Sequence, residues 1–265
     1  MRKNFKGFVE RNRWLKAVPN TLTVCNSLCG FLAIVNTLQV YNRHTKPEYV
    51  FIISSIMILG AMVFDALDGF AARIFNAASL KGIQMDSLAD MVTFGVAPAV
   101  LVCVMAHKYS ITLYGYPMAW AFCAVYLAGA AHRLARYNVS TMIDKKSGHG
   151  FTGLPTPGGA AAICSLVFLF CSNKIDPHHQ YVRILPFYAC ILGLLFVSNI
   201  KYAHFAKWLP TVRRNKLRMF LLIAILIIIA LRPSVGVAVV VNGYVVLHIL
   251  AGAYRALKFA WVKRA

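Results

Sequence analysis

The feature that most constrains this chain is a series of apolar runs of about 20 residues each. A helix of that length crosses a hydrocarbon core ~30 Å thick. Hydrophobic residues make up 59% of the sequence and charged residues only 14%, which predicts an all-α polytopic membrane protein rather than a soluble globule. The runs predict about eight transmembrane helices, at 18–40, 50–72, 86–106, 117–138, 157–173, 184–201, 217–233 and 235–256.

The distribution of positive charge predicts the orientation of these spans. The chain has 28 Lys and Arg against 8 Asp and Glu, a net charge of +20. If the N-terminus is cytoplasmic, the predicted loops place 22 of the 28 basic residues inside and 6 outside, as the positive-inside rule requires. We therefore expect an integral protein of the cell (inner) membrane, with both termini cytoplasmic and basic loops against anionic lipids. Nucleic acid is not an expected partner, because the predicted spans leave no soluble basic domain.

The chain is expected to form one integral-membrane domain, 1–265, because the sequence has no long linker, low-complexity tract or internal repeat. Residues 1–16 predict a cytoplasmic interfacial segment rather than a cleavable signal, since the apolar run after them is of full spanning length. Residues 217–256 predict two extra C-terminal spans. The 7 cysteines all fall within predicted spans without a CxxC pair, which favours a packing role.

Half of the acidic residues lie beside one predicted hairpin. Asp65, Asp68, Asp86 and Asp90 account for four of the 8 acidic residues. The first pair is spaced i, i+3 and the second i, i+4, so each pair shares a helix face. In the predicted topology both pairs meet at the cytoplasmic end of the second and third helices, where we expect the active site. Four carboxylates so close together require positive partners, and all-oxygen ligands favour Mg²⁺ or Mn²⁺.

The residues between the two Asp pairs suit a ligand that carries phosphate. Gly69 and Gly82 allow a turn or the close approach of a backbone, and Ala72 keeps a helix face open. Arg73 offers a forked donor to phosphate oxygens, and Ser79 adds a hydroxyl in the predicted connecting loop. A two-metal centre beside an anion site is a common arrangement for in-line displacement at phosphorus.

The complete pattern is Asp-x2-Asp-Gly-x2-Ala-Arg-x8-Gly-x3-Asp-x3-Asp, and it resembles the signature of the CDP-alcohol phosphatidyltransferase family at every position. The resemblance implies that the four Asp residues bind two divalent cations and that Asp90 also acts as general base toward the acceptor hydroxyl. It implies that Gly69, Arg73 and Ser79 hold the CDP part of the donor, and that the protein is a homodimer. We expect direct displacement without a covalent enzyme intermediate, because the motif contains no nucleophile with a paired base.

Four segments outside the signature resemble the serine-using branch of this family. They are PNTLTVCNSLCGFLAI in the first span, RLARYN at the end of the fourth, GFTGLPTPGGAAA entering the fifth and VSNIKYAHF at the end of the sixth. They imply transfer of the phosphatidyl group from CDP-diacylglycerol to L-serine, with release of CMP. We assign Asn20, at a predicted helix start, to the CDP site. Asn26, Arg133 and Arg136 are assigned to the acceptor or to a phosphate.

Two alternatives stay open. The same chemistry could use glycerol 3-phosphate or inositol phosphate as acceptor. A phosphorylated acceptor would, however, require more Arg and Lys side chains around it than the sequence places near the Asp cluster. Carboxylates within membrane spans also mark ion paths, so a cation transporter is the alternative from a different class. Ion transport would not explain Gly69, Arg73 and Gly82. The carboxylates of a transporter are also expected at the midplane of the membrane, whereas this cluster is predicted at one membrane face.

Overall fold

The structure, a computed structural model, describes residues 13–75, 77, 79–109, 115–143, 153–172, 182–200 and 231–262. Every regular element in these ranges is helical and none is a strand, which confirms the all-α prediction. The principal helices are α1 (Val18–Leu38), α2 (Pro47–Ile74), α3 (Leu80–Lys108), α4 (Gly115–Ile143), α5 (Thr156–Ser172), α6 (Leu185–Val197) and α7 (Pro233–Val262).

Four helices in the described part of the chain are long and apolar enough to cross a membrane: Val18–Tyr41, Pro47–Ile74, Leu80–Lys108 and Pro233–Gly252. Each of them coincides with a predicted span. Two further apolar helices, α5 and Val182–Val197, are shorter, and α4 covers the predicted span 117–138. The predicted span 217–233 lies outside the described residues except for its last three positions, so the count of eight stays a prediction. Residues 1–12 of the predicted interfacial segment also lie outside them.

Helix α3 begins earlier than the sequence predicts. The predicted start is residue 86, whereas the helix begins at Leu80. The reason is a cap, because the Ser79 hydroxyl accepts a hydrogen bond from the Gly82 N–H at 3.0 Å. A cap of this kind satisfies one of the N–H groups that a helix start leaves unpaired. The connection from α2 is therefore short, and Asp86 lies within a helix instead of at its first residue.

Helix α3 is also the central helix of the bundle. Its most apolar window is 67% buried, against 28% for α1 and 33% for α2. Directly after Asp90 it widens into a π-helical segment, Met91–Val96, a rare geometry that is frequent at functional sites. The buried Tyr126 hydroxyl donates to the Phe94 carbonyl oxygen at 2.7 Å. This contact satisfies a backbone acceptor within the irregular segment.

One face of α1 carries small and polar residues and packs into the bundle. Its buried positions recur at intervals of four and three residues: Pro19, Thr23, Asn26, Gly30, Ala33 and Thr37. Such residues typically face other helices in membrane proteins, because they allow close approach and polar contacts. A Cβ built at Gly30 would lie only 2.5 Å from Thr93 Oγ1 and 2.7 Å from Thr93 Cα. The Thr93 hydroxyl donates to the Asn26 carbonyl oxygen at 3.0 Å, so α1 and the π-helical segment are held together.

The stretch before α5 is bound to the end of α6. The Gly153 N–H donates to the Ile200 carbonyl oxygen at 2.8 Å, and the Leu154 N–H donates to the Leu195 carbonyl oxygen at 3.1 Å. Gly153 has a φ of 87°, a left-handed conformation that favours glycine. These contacts position Thr156, the first residue of α5, close to α4.

Close and polar contacts join α6 and α7 to the bundle. Helices α4 and α6 meet at two glycines, since a Cβ at Gly129 would overlap the Gly193 carbonyl oxygen. Small residues of this kind let helix backbones touch. On α7, Asn242 accepts a hydrogen bond from the Tyr188 hydroxyl at 2.6 Å and donates one to Ser165 Oγ at 3.0 Å. Helix α7 is therefore attached to both α5 and α6.

Candidate active site

The predicted carboxylates meet where α2 and α3 adjoin. Asp65 and Asp68 lie near the end of α2, and Asp86 lies near the start of α3. One carboxylate oxygen from each of these three residues lies within 4.8 Å of the other two. Asp90, one turn further along α3, lies against Asp65. The structure thus brings all four acidic side chains into one cluster.

This cluster fits a divalent cation. All its ligand atoms are carboxylate oxygens, the donors that Mg²⁺ and Mn²⁺ prefer. Asp86 Oδ1 is buried and accepts no hydrogen bond from any residue that the structure describes, and a buried carboxylate oxygen without a partner is costly unless a positive charge offsets it. No other group of three His, Cys, Asp or Glu side chains in the described ranges has a geometry that could hold a metal ion.

Two side chains of α1 donate hydrogen bonds to carboxylates of the cluster. Thr23 Oγ1 donates to Asp68 Oδ2 at 2.7 Å, and Asn26 Nδ2 donates to Asp90 Oδ1 at 3.3 Å. Both residues are buried. Asn26 is predicted from the sequence to contact the acceptor or a phosphate, whereas no sequence motif points to Thr23. The available signal was the small and polar stripe of α1, in which these two residues are i, i+3 neighbours on one face.

An open cleft of about 160 Å³ borders the cluster. Its walls come from the start of α1, the end of α2 and the start of α3. Asn20, Gly69 and Ser79, three of the four residues assigned to CDP, line it together with Asp68 and Asp86. A Cβ built at Gly69 meets nothing within 4 Å, so the wall is open at that position. That these residues bind CDP stays a prediction.

Arg73 is the fourth residue assigned to CDP, and it lies beside the cleft. Its side chain is exposed in the last turn of α2. Its Nε donates to the Gly69 carbonyl oxygen at 2.9 Å, and it is not among the residues that line the cleft. The guanidinium is therefore held over the glycine that leaves the cleft wall open.

The two arginines of α4 have different surroundings. Arg133 Nη1 donates to Thr156 Oγ1 at 3.0 Å, while its Nε is buried and has no acceptor among the described residues. The guanidinium is close enough to Asp90 for the two charges to interact. Arg136 is exposed. Of the two, Arg133 is the arginine that the structure brings to the carboxylate cluster.

These observations describe a helical membrane protein in which a carboxylate cluster suited to divalent cations borders an open cleft. The profile described as CDP-alcohol phosphatidyltransferase matches residues 16–197, which is more than half of the chain. The chain belongs to the CDP-alcohol phosphatidyltransferase family. The resemblance drawn from the Asp signature is therefore confirmed.

Three relatives share one name, CDP-diacylglycerol-serine O-phosphatidyltransferase. The protein of Bacillus subtilis (strain 168) is 35% identical over 191 residues, which cover 72% of this chain and 92% of the relative. The protein of Helicobacter pylori is 29% identical over 247 residues, covering 92% of this chain and 94% of the relative. The protein of Saccharomyces cerevisiae is 38% identical over 158 residues, covering 58% and 53%.

Proposed function

We propose that this chain transfers the phosphatidyl group of CDP-diacylglycerol to the hydroxyl of L-serine and releases CMP. The observation that carries the chemistry is the grouping of Asp65, Asp68 and Asp86 at the edge of the cleft. The choice of serine is supported by the shared name of the relatives, two of which align over 92% and 94% of their own lengths.

We assign the cleft to the CDP part of the donor. Asn20, Gly69 and Ser79 line it, and the open wall at Gly69 leaves room for a diphosphate to approach the backbone. The Ser79 hydroxyl accepts its hydrogen bond from Gly82, so its own proton is left to donate to a phosphate oxygen. Arg73, beside the cleft, provides a forked cation for the same phosphates.

We assign the reaction to the four carboxylates. The four Asp residues would hold two divalent cations, Mg²⁺ or Mn²⁺, and the cations would supply positive charge to offset that of the diphosphate and the leaving CMP. Asp90 takes the proton of the serine hydroxyl while the hydroxyl oxygen attacks the phosphorus of the phosphatidyl group. The bond from that phosphorus to the CMP oxygen breaks, and its electron pair leaves with CMP. No covalent enzyme intermediate is formed.

We place the acceptor on the Asp90 side of the cluster. In an in-line displacement the attacking oxygen enters opposite the leaving group, and neither Asp90 nor Arg133 lines the cleft assigned to CDP. Within the described ranges the Arg133 Nε–H is buried without an acceptor, and the guanidinium lies close to Asp90. A guanidinium is well suited to binding a carboxylate. We assign Arg133 to the carboxylate of serine. A contact of the exposed Arg136 with a substrate phosphate, and one of Asn26 with the acceptor, remain predictions.

We further propose one domain, 1–265, with eight spans and with both termini and the carboxylate cluster on the cytoplasmic side of the cell membrane. The placement of 22 of the 28 basic residues supports this orientation. The Asn242 contacts of α7 support a single domain. A homodimer is proposed from the family resemblance alone, and the mass of the protein in detergent tests it.

The test of the function is CMP release by purified protein in detergent, with CDP-diacylglycerol and Mn²⁺ or Mg²⁺. L-serine, glycerol 3-phosphate and inositol phosphate are compared with no acceptor, and Asp90→Asn is the inactive control. We expect release that requires both the cation and L-serine and that disappears in the variant. Release with a different acceptor would keep the chemistry and refute serine. Absence of release with every acceptor would refute the transferase and favour an ion site.

A further inference from the structure

We propose that α1 positions two ligands of the metal centre. Thr23 orients Asp68 and Asn26 orients Asp90, and these contacts thereby set the affinity for the cation. This inference rests on the metal site of the proposed function. It concerns two positioning residues, because each acts through the carboxylate that it contacts. Neither residue belongs to the Asp signature that identifies the family.

The proton of the Thr23 hydroxyl points to Asp68. Thr23 Oγ1 lies 2.7 Å from Asp68 Oδ2 and 3.0 Å from the Pro19 carbonyl oxygen. A hydrogen bond to a carboxylate is charge-assisted and stronger than one to a neutral carbonyl. Turning the proton toward Pro19 would leave the hydroxyl and carboxylate oxygens facing each other without a proton between them. Thr23 is 4% exposed and Asp68 5%, so little water competes for the contact.

The orientation of the Asn26 amide follows from the same reasoning. Its Nδ2 lies 3.3 Å from Asp90 Oδ1, and its Oδ1 is buried with no donor in the described part of the chain. The reverse orientation would place the amide oxygen against a carboxylate oxygen, so the nitrogen faces Asp90. The Asn26 backbone is held as well, because its carbonyl oxygen accepts from the Thr93 hydroxyl at 3.0 Å.

Both contacts restrict the rotation of a carboxylate. Each occupies one lone pair of its carboxylate and leaves the others available to a cation, which is how outer partners of metal ligands act. Asp68 belongs to α2 and Asp90 to α3, whereas their two partners are neighbours on one face of α1. A single helix therefore controls the relative placement of ligands from two other helices.

The test compares three substitutions on α1. Thr23→Val removes the hydroxyl with little change of shape, and Thr23→Ser restores it. Thr21→Val is the matched control, because Thr21 is exposed on the same helix and donates to the Ala17 carbonyl oxygen at 3.2 Å. Mn²⁺ binding to each purified protein is measured by the paramagnetic resonance signal of free Mn²⁺, without donor or serine. We expect Thr23→Val to weaken Mn²⁺ binding about 10- to 100-fold, and the other two variants to bind like the unsubstituted protein.

The melting temperature of each variant without cation separates lost binding from lost folding. Equal Mn²⁺ affinity in Thr23→Val and Thr21→Val would overturn the proposal. A loss in Thr23→Ser as large as that in Thr23→Val would also overturn it, because packing rather than the hydroxyl would then be the cause. If the unsubstituted protein binds no Mn²⁺, the metal site itself is refuted. If it binds Mn²⁺ but transfers nothing to serine, only the proposed function fails.

Discussion

The substitution Gly30→Ala tests how closely α1 must approach α3. The added Cβ would lie 2.5 Å from Thr93 Oγ1, 2.7 Å from Thr93 Cα and 3.0 Å from Thr93 Cβ. Only the first of these atoms can rotate away. Because carbon atoms in contact are normally ~3.5–4.0 Å apart, the two helices would have to separate by roughly 1 Å.

The substitution is expected to lower activity as well as stability. Overpacking of this kind costs about 1–3 kcal/mol, and the better helix propensity of Ala returns up to about 1 kcal/mol. The 3.0 Å contact of Thr93 with Asn26 and the 3.3 Å contact of Asn26 with Asp90 both depend on this approach. A shift of about 1 Å would break them, and a displacement of that size at a reacting centre costs up to ~100-fold in rate.

The assay is serine-dependent CMP release together with the melting temperature. Gly60→Ala is the matched control, because a Cβ at Gly60 of α2 meets nothing within 4 Å. We expect Gly30→Ala to lose about 10- to 100-fold in kcat/KM and Gly60→Ala to retain the original value. Equal activity and equal melting temperatures in the two variants would refute the reasoning, because α1 would then have no need to lie so close to α3.

Three further predictions concern the other helices. Arg133→Gln should raise the KM for L-serine about 10- to 100-fold and leave the KM for CDP-diacylglycerol unchanged. Arg136→Gln, the control, should change the KM for L-serine little. Equal effects of the two substitutions would contradict the assignment of Arg133 to the carboxylate of serine. Tyr126→Phe should lower the free energy of unfolding by about 1–2 kcal/mol, because the Phe94 carbonyl oxygen loses its donor. The measurement is denaturant unfolding in detergent, and unchanged stability would show that another donor replaces the hydroxyl. Gly153→Ala should lower the melting temperature, because Gly153 has a φ of 87° and a Cβ there would lie 2.5 Å from the Phe196 carbonyl oxygen of α6. An unchanged melting temperature would contradict this requirement for glycine.

The carboxylate cluster could be predicted from the sequence because its geometry is largely local. Spacings of i, i+3 and i, i+4 on two consecutive helices place the pairs on opposing faces, and a short hairpin then brings them together. The start of α3 could not be predicted equally well. Hydropathy shows where a span can lie in a membrane, whereas the Ser79 cap determines where the helix begins.

The role of Thr23 could not be predicted because its partner is distant in the sequence. Asp68 is 45 residues away, and a threonine in an apolar helix more often bonds its own backbone. The π-helical segment after Asp90 likewise receives a hydrogen bond from Tyr126, which belongs to a different helix. Local patterns predict which helices form, while contacts of this kind require the packed bundle.

The catalytic role of the four carboxylates is tested most directly by measuring phosphatidylserine and CMP together in one sample as the divalent cation is removed and restored. Purified protein receives CDP-diacylglycerol and L-serine, first with EDTA and then with an excess of Mn²⁺, and Asp68→Asn is treated in the same way. If the four carboxylates hold the catalytic cations, equal amounts of the two products form only after Mn²⁺ is added, and the variant forms neither. Phosphatidylserine formed at an undiminished rate in EDTA, or by Asp68→Asn, would contradict a catalytic role for cations held by these carboxylates.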